Sequence, residues 1–546
     1  MIKRSLLATS IAMALVQQAA ATPLLPMDAR GLAMGSTGVA SAKLAHAPQY
    51  NPALLSTANA EDDFAIVFPQ IGVSVADEDK LIESFDDLVN EDYEGTQEPI
   101  VDHFDAILTN LDDTLSNGPN SVEQQIQSLK DELENPTTTA ALRSASLSLD
   151  TSIGNVQIQT NDLTQTTFDL TSELDSMSGS PLSGSLGVNG AIAIPSKTFA
   201  AAVSVSGSAY FSGRMFFTRD DQNLLNDYAG AINDYAGEVK DYTSATALLA
   251  DTIDAADTEC SSNPGSPQCV ALGAQADAQL TIANAELADL NGFNRNSGST
   301  VIISTDGNGN IVIAEDPDLT SNVQIIAVGI TEIGITLSRE FSIAGEDIAI
   351  GITPKFQTIK TFNYVASVEE EDIKEEDIKE TEQDFSDFNL DIGIAYQFGS
   401  SKQWQAGLVA KNLFSKEYET ESNEYGPTGN KEISKETISL DTQFRGGISH
   451  STDWTVVAFD LDLMENDPVA FEAPTQYASI GAELDLFDTL QFRAGYRTNL
   501  SVSDSAIASI GLGFSPFGVH IDLAAMANPS DPEKEAGAAL ELGFYF

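Results

Sequence analysis

The chain of 546 residues has little positive charge and little histidine. Its 26 lysines and arginines stand against 82 aspartates and glutamates, which gives a formal net charge of −56. A chain this negative repels the phosphates of nucleic acids and anionic lipid headgroups, so direct nucleic acid binding is not expected. The four histidines are scattered and form no metal-ligand spacing, so neither a metal nor a cofactor is predicted.

Cysteine is almost absent, with only Cys260 and Cys269 in the segment CSSNPGSPQC. The sequence contains no C-x-x-C pair, which excludes a thiol oxidoreductase of the usual type. In an oxidising compartment two cysteines at this spacing close a small loop, and we predict a disulfide between them.

Long apolar runs are absent after the first residues of the chain. Met1–Ala21 combines a basic start, an apolar run and a small-residue cleavage site, which predicts a signal peptide and a mature chain that begins at Thr22. No later stretch reaches the roughly 18 uncharged apolar residues that a membrane-spanning helix needs. The sequence therefore predicts an exported protein without helical membrane spans.

The C-terminal half alternates between apolar and polar or small residues with a period of two. In the last segment Phe544, Leu542 and Leu540 share one strand face, whereas Gly543 and Glu541 share the other. The same alternation recurs upstream, including one predicted strand from Ile438 to Ile448, and weaker strands are predicted at Asp63–Val75 and Ala145–Thr160.

Two architectures produce this alternation, namely a soluble antiparallel sandwich and a membrane barrel whose apolar face meets lipid. Segments of about ten residues and aromatic residues at their ends favour the barrel. Bacterial barrels have even strand numbers, so we predict an all-β, outer-membrane antiparallel β-barrel of about 14 strands.

The polar strand faces predict the side chains that line the lumen of this barrel. They are Asp441, Arg445, Asp460, Asp462, Glu483, Asp485, Arg493, Arg497, His520, Asp522 and Glu541. Charges of opposite sign on neighbouring strands favour a cross-strand network. Two interpretations stay open, because such residues either serve transport or merely brace and hydrate the interior.

Two insertions, residues 77–136 and 223–290, carry helical spacing instead. In the second, the near-copies NDYAGAI, NDYAGEV and KDYTSAT place apolar residues at coiled-coil spacing. One predicted seam is Tyr228, Ile232, Tyr235, Val239 and Tyr242, and the opposing seam is Leu272, Ala276, Ala283, Leu287 and Leu290. The prediction is a coiled-coil hairpin with the disulfide at its tip, which is either purely structural or a contact element for an envelope protein.

An acidic run, Glu369–Glu382, has the composition of a solvated loop, and divalent-cation binding by this run is the alternative interpretation. Between the apolar segments VIIS and IVIA, residues 305–310 predict a hairpin turn.

Several phrases together resemble one protein family. They are DARGLAMGSTGVASA from Asp28, YNPALL from Tyr50, AIPSKTF from Ala193, ITEIGITLSREF from Ile330, GITPKFQTIKTFNYV from Gly351, GLVAKNLF from Gly407, AFDLDL from Ala458, RAGYRTNL from Arg493 and GLGFSPFGVHIDLA from Gly511. The chain resembles the exported TraF-like conjugal transfer proteins of the non-thioredoxin type, which are related to FadL-like outer-membrane transporters. The resemblance implies a plug inside the barrel formed by residues 22–60, with Asn51, Pro52 and Ala53 as the plug motif, and a barrel over residues 61–546.

The expected function is passage of small hydrophobic compounds through the outer membrane of a Gram-negative bacterium. Outer-membrane lipid and a hydrophobic ligand are then the expected partners. The alternative is an envelope structural or surface-contact component of conjugal transfer, acting through the helical insertions. An enzyme is not expected, because no G-x-S-x-G or H-E-x-x-H motif is present, and Asp460 and Asp462 share a strand face as any polar lumen requires.

Overall fold

The computed structural model describes residues 26–57, 63–93, 95–134, 138–314, 319–343, 345–368, 374–425, 432–503 and 505–545. The predicted signal peptide, the start of the mature chain, part of the acidic run and Phe546 lie outside these residues. The chain divides into two compact units. We call them the barrel unit, within residues 1–81, 179–216 and 322–546, and the helical unit, residues 82–178 and 217–321.

In the barrel unit, the described residues form a closed ring of fourteen strands in which each strand runs antiparallel to its neighbours. The ring closes where the first strand pairs with the last, from Ala65 opposite Tyr545 to Ala76 opposite Glu535. In ring order the strands are β1 (Ala65–Ala76), β2 (Pro181–Ile194), β3 (Ala200–Phe216), β7 (Asn322–Ile343), β8 (Glu346–Ser367), β9 (Gln383–Phe398), β10 (Trp404–Lys411), β15 (Gln443–Ser451), β16 (Thr455–Asp462), β17 (Tyr477–Leu486), β18 (Leu490–Asn499), β19 (Ala506–Phe514), β20 (Val519–Ala527) and β21 (Glu535–Tyr545). The predicted 14-stranded barrel is confirmed.

The wall has one apolar and one polar face because side chains alternate along each strand. Apolar side chains such as Ile510 (68% exposed), Leu523 (55%) and Ile480 (50%) cover the outer face. Charged side chains such as Glu483 and Arg493 alternate with them and are buried on the inner face. A continuous apolar outer face around a closed barrel is typical of outer-membrane barrels, because lipid covers it.

No helix in the described part of the chain is long and apolar enough to cross a membrane.

One predicted strand is wrong in the barrel unit. The segment from Ile438 to Ile448 is broken, because Ile438 and Leu440 belong to β14 (Thr437–Leu440), which pairs with β11 (Lys416–Glu419) outside the ring. Both side chains pack in a cluster with Tyr418, so the backbone leaves the strand at residues 441–442 before β15 begins. Asp441 is therefore exposed between two strands rather than on a barrel strand. A second small sheet joins β12 (Asn423–Tyr425) and β13 (Glu432–Ser434), and within the acidic run the described residues form the helix α9 (Glu375–Glu380).

The other wrong strand prediction, Ala145–Thr160, lies within a helix of 39 residues. Leu149, Ile153 and Val156 are buried at steps of three and four residues, and the alternating SASLSL segment imitates a strand only over a short stretch. Helical structure therefore continues past the predicted limit at residue 136 to Met177. The helices of this part are α3 (Leu81–Asn90), α4 (Ile100–Asp112), α5 (Val122–Glu134) and α6 (Thr139–Met177).

The second predicted helical segment contains α7 (Arg219–Ser262) and α8 (Pro267–Asn291), joined by the disulfide between Cys260 and Cys269. A small sheet of β4 (Asn294–Ser297), β5 (Thr300–Thr305) and β6 (Ile311–Ile313) follows, and the predicted hairpin turn joins β5 to β6. On α7 the predicted seam is buried from Ile232 to Tyr242 and contacts both α6 and α8. On α8 only Ala283 and Leu290 of the predicted seam are fully buried, so α6 supplies much of the packing.

Candidate functional site

The interior of the barrel contains the N-terminal residues 26–57, which we call the luminal segment. Its short elements are α1 (Ala29–Ala33), α2 (Ala47–Tyr50) and two 3-10 turns, Leu44–His46 and Pro52–Ser56. Most of its side chains are buried, and its polar atoms bond to strands on every side of the ring, including β7, β9, β16, β18 and β21. The segment therefore crosses the lumen rather than lying along one wall.

Glu483 on β17 is the centre of the largest charge cluster between segment and wall. Arg30 of the luminal segment donates from Nε to Glu483 Oε2 at 2.9 Å, and Arg493 Nε on β18 donates to the same oxygen at 2.7 Å. Lys43 Nζ lies 3.3 Å from Glu483 Oε1, and Arg493 also pairs with Asp522 on β20. Three cations thus surround one buried carboxylate, and the network joins three strands to the luminal segment.

A second cluster joins His46 of the luminal segment to Glu541 on β21. His46 Nε2 lies 2.8 Å from Glu541 Oε1 and 3.8 Å from Asp28 Oδ1, and Tyr50 donates its hydroxyl to Asp28 Oδ2 at 2.5 Å. Burial alone lowers the pKa of His46, but the carboxylates of Glu541 and Asp28 outweigh it and raise that pKa. Burial and then Asp28 raise the pKa of Tyr50 well above its usual range, so the phenol stays protonated as a donor.

Asp460 on β16 binds the backbone of the luminal segment. Its Oδ2 accepts hydrogen bonds from the backbone amides of Gly38 at 2.7 Å and Val39 at 2.9 Å. The carboxylate therefore satisfies two buried backbone donors of the luminal segment. On the neighbouring strand Arg445 Nε donates to Asp462 Oδ1 at 2.5 Å and holds that carboxylate.

Arg497 on β18 contacts both the luminal segment and β21, the last strand of the barrel. Its Nη1 donates to Ser36 Oγ of the luminal segment at 3.3 Å, and its Nη2 pairs with Glu535 on β21.

Asn51 and Pro52 sit against glycines of the wall. Asn51 Nδ2 donates to the carbonyls of Val39 at 2.9 Å and Ile394 at 3.1 Å, and its Oδ1 accepts the amide of Ala53 at 3.0 Å. A side chain at Gly351 would place Cβ 2.3 Å from the carbonyl carbon of Pro52. Glycine is required there because the two backbones approach closely. The three residues thus cap the turn Pro52–Ser56 and fix it to β8 and β9.

Of the eleven residues predicted to line the lumen, the structure buries eight, leaves two half-buried and exposes one. The buried residues are Arg445, Asp460, Asp462, Glu483, Arg493, Arg497, Asp522 and Glu541, the half-buried ones are Asp485 and His520, and the exposed one is Asp441. Sequence reasoning missed a further buried cluster, in which Lys355 Nζ lies 3.0 Å from Glu332 Oε1 and 3.1 Å from Asp391 Oδ1. Nearby, Lys411 Nζ donates to the carbonyl of Gln49 at 2.8 Å. In the sequence, the polar residues Lys355 and Gln357 stand on either side of the apolar Phe356. This alternation with a period of two could have predicted that Lys355 points into the barrel.

Two large cavities open at opposite ends of the same strands. The first, of about 440 Å³, is lined by Tyr477 at the start of β17 and by Arg497 and Asn499 at the end of β18, together with the long connection between β16 and β17. The second, of about 850 Å³, is lined by Glu483 further along β17 and by Gln491 near the start of β18. We call the first the loop-end cavity, after the long connection between β16 and β17. We call the second the turn-end cavity, because short turns such as residues 487–489 border it.

A protein-family model described as "F plasmid transfer operon, TraF, protein" matches residues 48–462. The chain belongs to this TraF family. The matched range runs from the luminal segment, just before Asn51, to Asp462 at the end of β16 and includes both units. The TraF resemblance noted in the sequence is therefore confirmed.

No curated protein matches this TraF-family chain. Among solved structures, the Ralstonia pickettii toluene transporter TbuX aligns with 10% identity and a TM-score of 0.44, covering 96% of this chain and 99% of that one. The Pseudomonas putida toluene transporter TodX aligns with 10% identity and a TM-score of 0.38, covering 96% and 98%. A Pseudomonas aeruginosa FadL homologue aligns with 9% identity and a TM-score of 0.37, covering 97% and 99%. Alignments at this level identify neither a substrate nor a mechanism.

Proposed function

We propose that this TraF-family chain is an outer-membrane channel of a Gram-negative bacterium that passes small hydrophobic compounds, with the luminal segment as its plug. The observation that carries the proposal is the pair of cavities at opposite ends of β17 and β18, with the luminal segment across the lumen. Passage then requires the segment to shift, because its side chains and the wall are packed together in the resting arrangement.

The chemistry of the contacts supports a plug that moves. Arg30, His46 and Gly38 reach the wall through ion pairs and hydrogen bonds to Glu483, Glu541 and Asp460. A polar contact that is exchanged for water loses only a little free energy, about 1 kcal/mol for a neutral hydrogen bond, whereas a buried charge left dry costs far more. Motion of the plug and entry of water are therefore coupled in this proposal.

The roles of the charged lumen residues follow from this proposal. Glu483 and Glu541 act as positioning residues that hold the plug, and Arg493 supports Glu483 from the neighbouring strand. The Asn51-Pro52-Ala53 motif anchors the far end of the plug to β8 and β9.

An engineered disulfide that can be reduced again tests the proposal, because it ties the plug to the barrel wall reversibly. Ser56 Oγ of the luminal segment lies 2.6 Å from Ser338 Oγ on β7, so the double substitution Ser56→Cys/Ser338→Cys places two thiols in contact. In proteoliposomes we expect the oxidised double variant to pass no toluene-sized solute and the reduced variant to regain the wild-type rate. The single variants and the wild type, each with and without reductant, control for the native Cys260–Cys269 disulfide.

Two results would contradict the proposal. An oxidised, cross-linked variant with wild-type flux would show that the plug does not gate passage. A wild-type barrel that folds, as judged by its heat-modified gel mobility, and passes no solute would show that it is not a channel.

A second candidate function rests on the family match and the helical unit. The family description names a plasmid transfer operon, and α7 and α8 expose apolar side chains, Val270 among them at 65%. In this alternative the helical unit binds another envelope protein. Deletion of residues 223–290 should then abolish cross-linking to that partner and spare flux, whereas loss of both would show that the helical unit also supports the barrel.

A further inference from the structure

The two cavities of the barrel differ in the charge of their lining. Six carboxylates and one guanidinium line the loop-end cavity. They are Glu78, Asp441, Glu465, Asp467, Glu472 and Glu535, with Arg497 as the cation. The turn-end cavity has a mixed lining, with four lysines and arginines (Arg30, Lys43, Lys402 and Arg493) facing five carboxylates (Asp453, Glu483, Asp485, Asp488 and Asp522).

The excess carboxylates of the loop-end cavity are not neutralised by that single cation. Arg497 is already paired with Glu535. Burial, and next the charge of Glu535, raise the pKa of Glu78, and burial raises the pKa of Glu472. Both shifts show that the surroundings of these two carboxylates disfavour their negative charge. A cation bound beside them would therefore be stabilised.

One buried acceptor in the same cavity lacks a donor among the described residues. Gln443, only 4% exposed, lines the cavity, and its side-chain carbonyl oxygen has no hydrogen-bond partner among the described residues. Buried acceptors normally have donors, so this unpaired oxygen indicates a ligand that brings an N–H group.

The remainder of the lining is apolar and aromatic. Met464, Val469, Tyr210 and Tyr477 border the carboxylates. The guanidinium of Arg497 lies 5.1 Å from the centroid of the Tyr477 ring, which shows that this ring already accepts a cation. The cavity thus offers an apolar surface beside negative charge, the pattern that suits an amine on an apolar body.

We propose that the loop-end cavity selects cationic amphiphiles, that is, small apolar molecules carrying an amine, and excludes carboxylates of the same size. The selection rests on the proposed channel function and names its substrate class. Longer loops of bacterial barrels face the exterior, so this cavity is the entrance, where a negative potential concentrates cations and repels anions before they reach the plug.

Three probes of one size test the selection, namely benzylamine, benzyl alcohol and benzoate. We expect proteoliposomes with the wild-type chain to pass benzylamine about tenfold faster than benzoate at low salt, with the alcohol between them. The ratio should fall toward unity at about 1 M salt, where the Debye length is about 3 Å.

The double substitution Glu78→Gln/Glu472→Gln removes two charges from the entrance, and we expect it to reduce the benzylamine-to-benzoate ratio to about threefold or less. The matched control is Glu417→Gln/Glu424→Gln, which removes two charges from exposed residues of β11 and β12, outside the lining of both cavities. It should keep the wild-type ratio. Heat-modified gel mobility establishes that each variant folds as a barrel.

The outcomes separate this inference from the channel function. Equal rates for all three probes, faster benzoate, or an unchanged ratio in the Glu78→Gln/Glu472→Gln variant would overturn the selection and leave the channel intact. Flux of none of the three through a folded wild-type barrel would overturn the channel function and the selection with it.

Discussion

Buried ion pairs distinguish the interior of the barrel unit from the core of the helical unit. In the barrel, Glu483 is bonded to Arg30 and Arg493, and wall glycines such as Gly351 make room for the luminal segment. In the helical unit, Tyr235 and Leu249 are buried in one large apolar cluster that includes side chains of α4 to α8.

The difference follows from where each unit turns its apolar side chains. The barrel places most of its large apolar side chains on its outer face, so its interior combines many polar side chains and glycines with smaller apolar clusters, such as the one that contains Met27, Leu32 and Met526. The helical unit buries its apolar stripes against one another, as helices of water-soluble proteins do. Hydrogen bonds and ion pairs are directional, and water can replace them when they open. Apolar contacts are non-directional, and opening them exposes apolar surface to water. We therefore expect substitutions inside the barrel to loosen the luminal segment, and substitutions in the core of the helical unit to lower its free energy of unfolding.

The largest effect is expected from Glu483→Gln in the barrel. The substitution leaves Arg30 buried without its carboxylate and removes one of the two acidic partners of Arg493, and breaking a buried pair costs about 3–5 kcal/mol. We expect the plug to loosen, with higher resting conductance in planar bilayers and faster proteolysis of the luminal segment. The control is Glu419→Gln, whose pair with Lys435 is exposed and contributes less than about 1 kcal/mol. Equal behaviour of the two variants would show that the charge cluster does not hold the plug.

Two neighbouring leucines of α7 test the helical unit. Leu249 is 2% exposed and Leu248 is 49% exposed, so Leu249→Ala should destabilise the helical unit by about 2–5 kcal/mol and Leu248→Ala should change little. Thermal unfolding followed by far-UV circular dichroism measures the difference. The heat-modified mobility of the barrel should stay the same in both variants. A shifted barrel transition in Leu249→Ala would mean that the two units unfold together.

A smaller effect is expected where the luminal segment meets a wall glycine. In Gly351→Ala the new Cβ would lie 2.3 Å from the carbonyl carbon of Pro52, and overpacking of this kind costs about 1–3 kcal/mol. Gly446→Ala is the matched control, since the nearest atom to its new Cβ is 3.7 Å away. We expect slower disulfide formation in Ser56→Cys/Ser338→Cys when Gly351→Ala is added. Unchanged kinetics would mean that β8 yields to the extra methyl group.

These residues also show how far the sequence predicts the structure. A period of two places Glu483 and Arg493 on the inner face of their strands, because alternation is a local property of the backbone. Their ion pairs with Arg30 and Asp522 depend on strand register and on the path of the luminal segment, which one sequence does not encode locally. The same limit explains the broken strand at Asp441, where the apolar period continues across a change of sheet, and the helix over Ala145–Thr160, where a short alternation competes with a longer helical stripe.

The smallest effect concerns pH and the pair of His46 with Glu541. The folded-state pKa of His46 is raised above its unfolded value of about 6.5, so the pair stabilises plug docking fully below that pH. The contribution is lost as the pH rises through the folded-state pKa, and docking should therefore be weaker at about pH 9 than at about pH 5.5. Resting conductance should rise with pH in the wild type and lose most of that dependence in His46→Gln. His450→Gln, at the turn-end cavity and in edge-to-face contact with the ring of Trp404, should keep it. A pH dependence that survives His46→Gln but disappears in His450→Gln would place the titrating group at the turn-end cavity instead of at the contact between plug and β21.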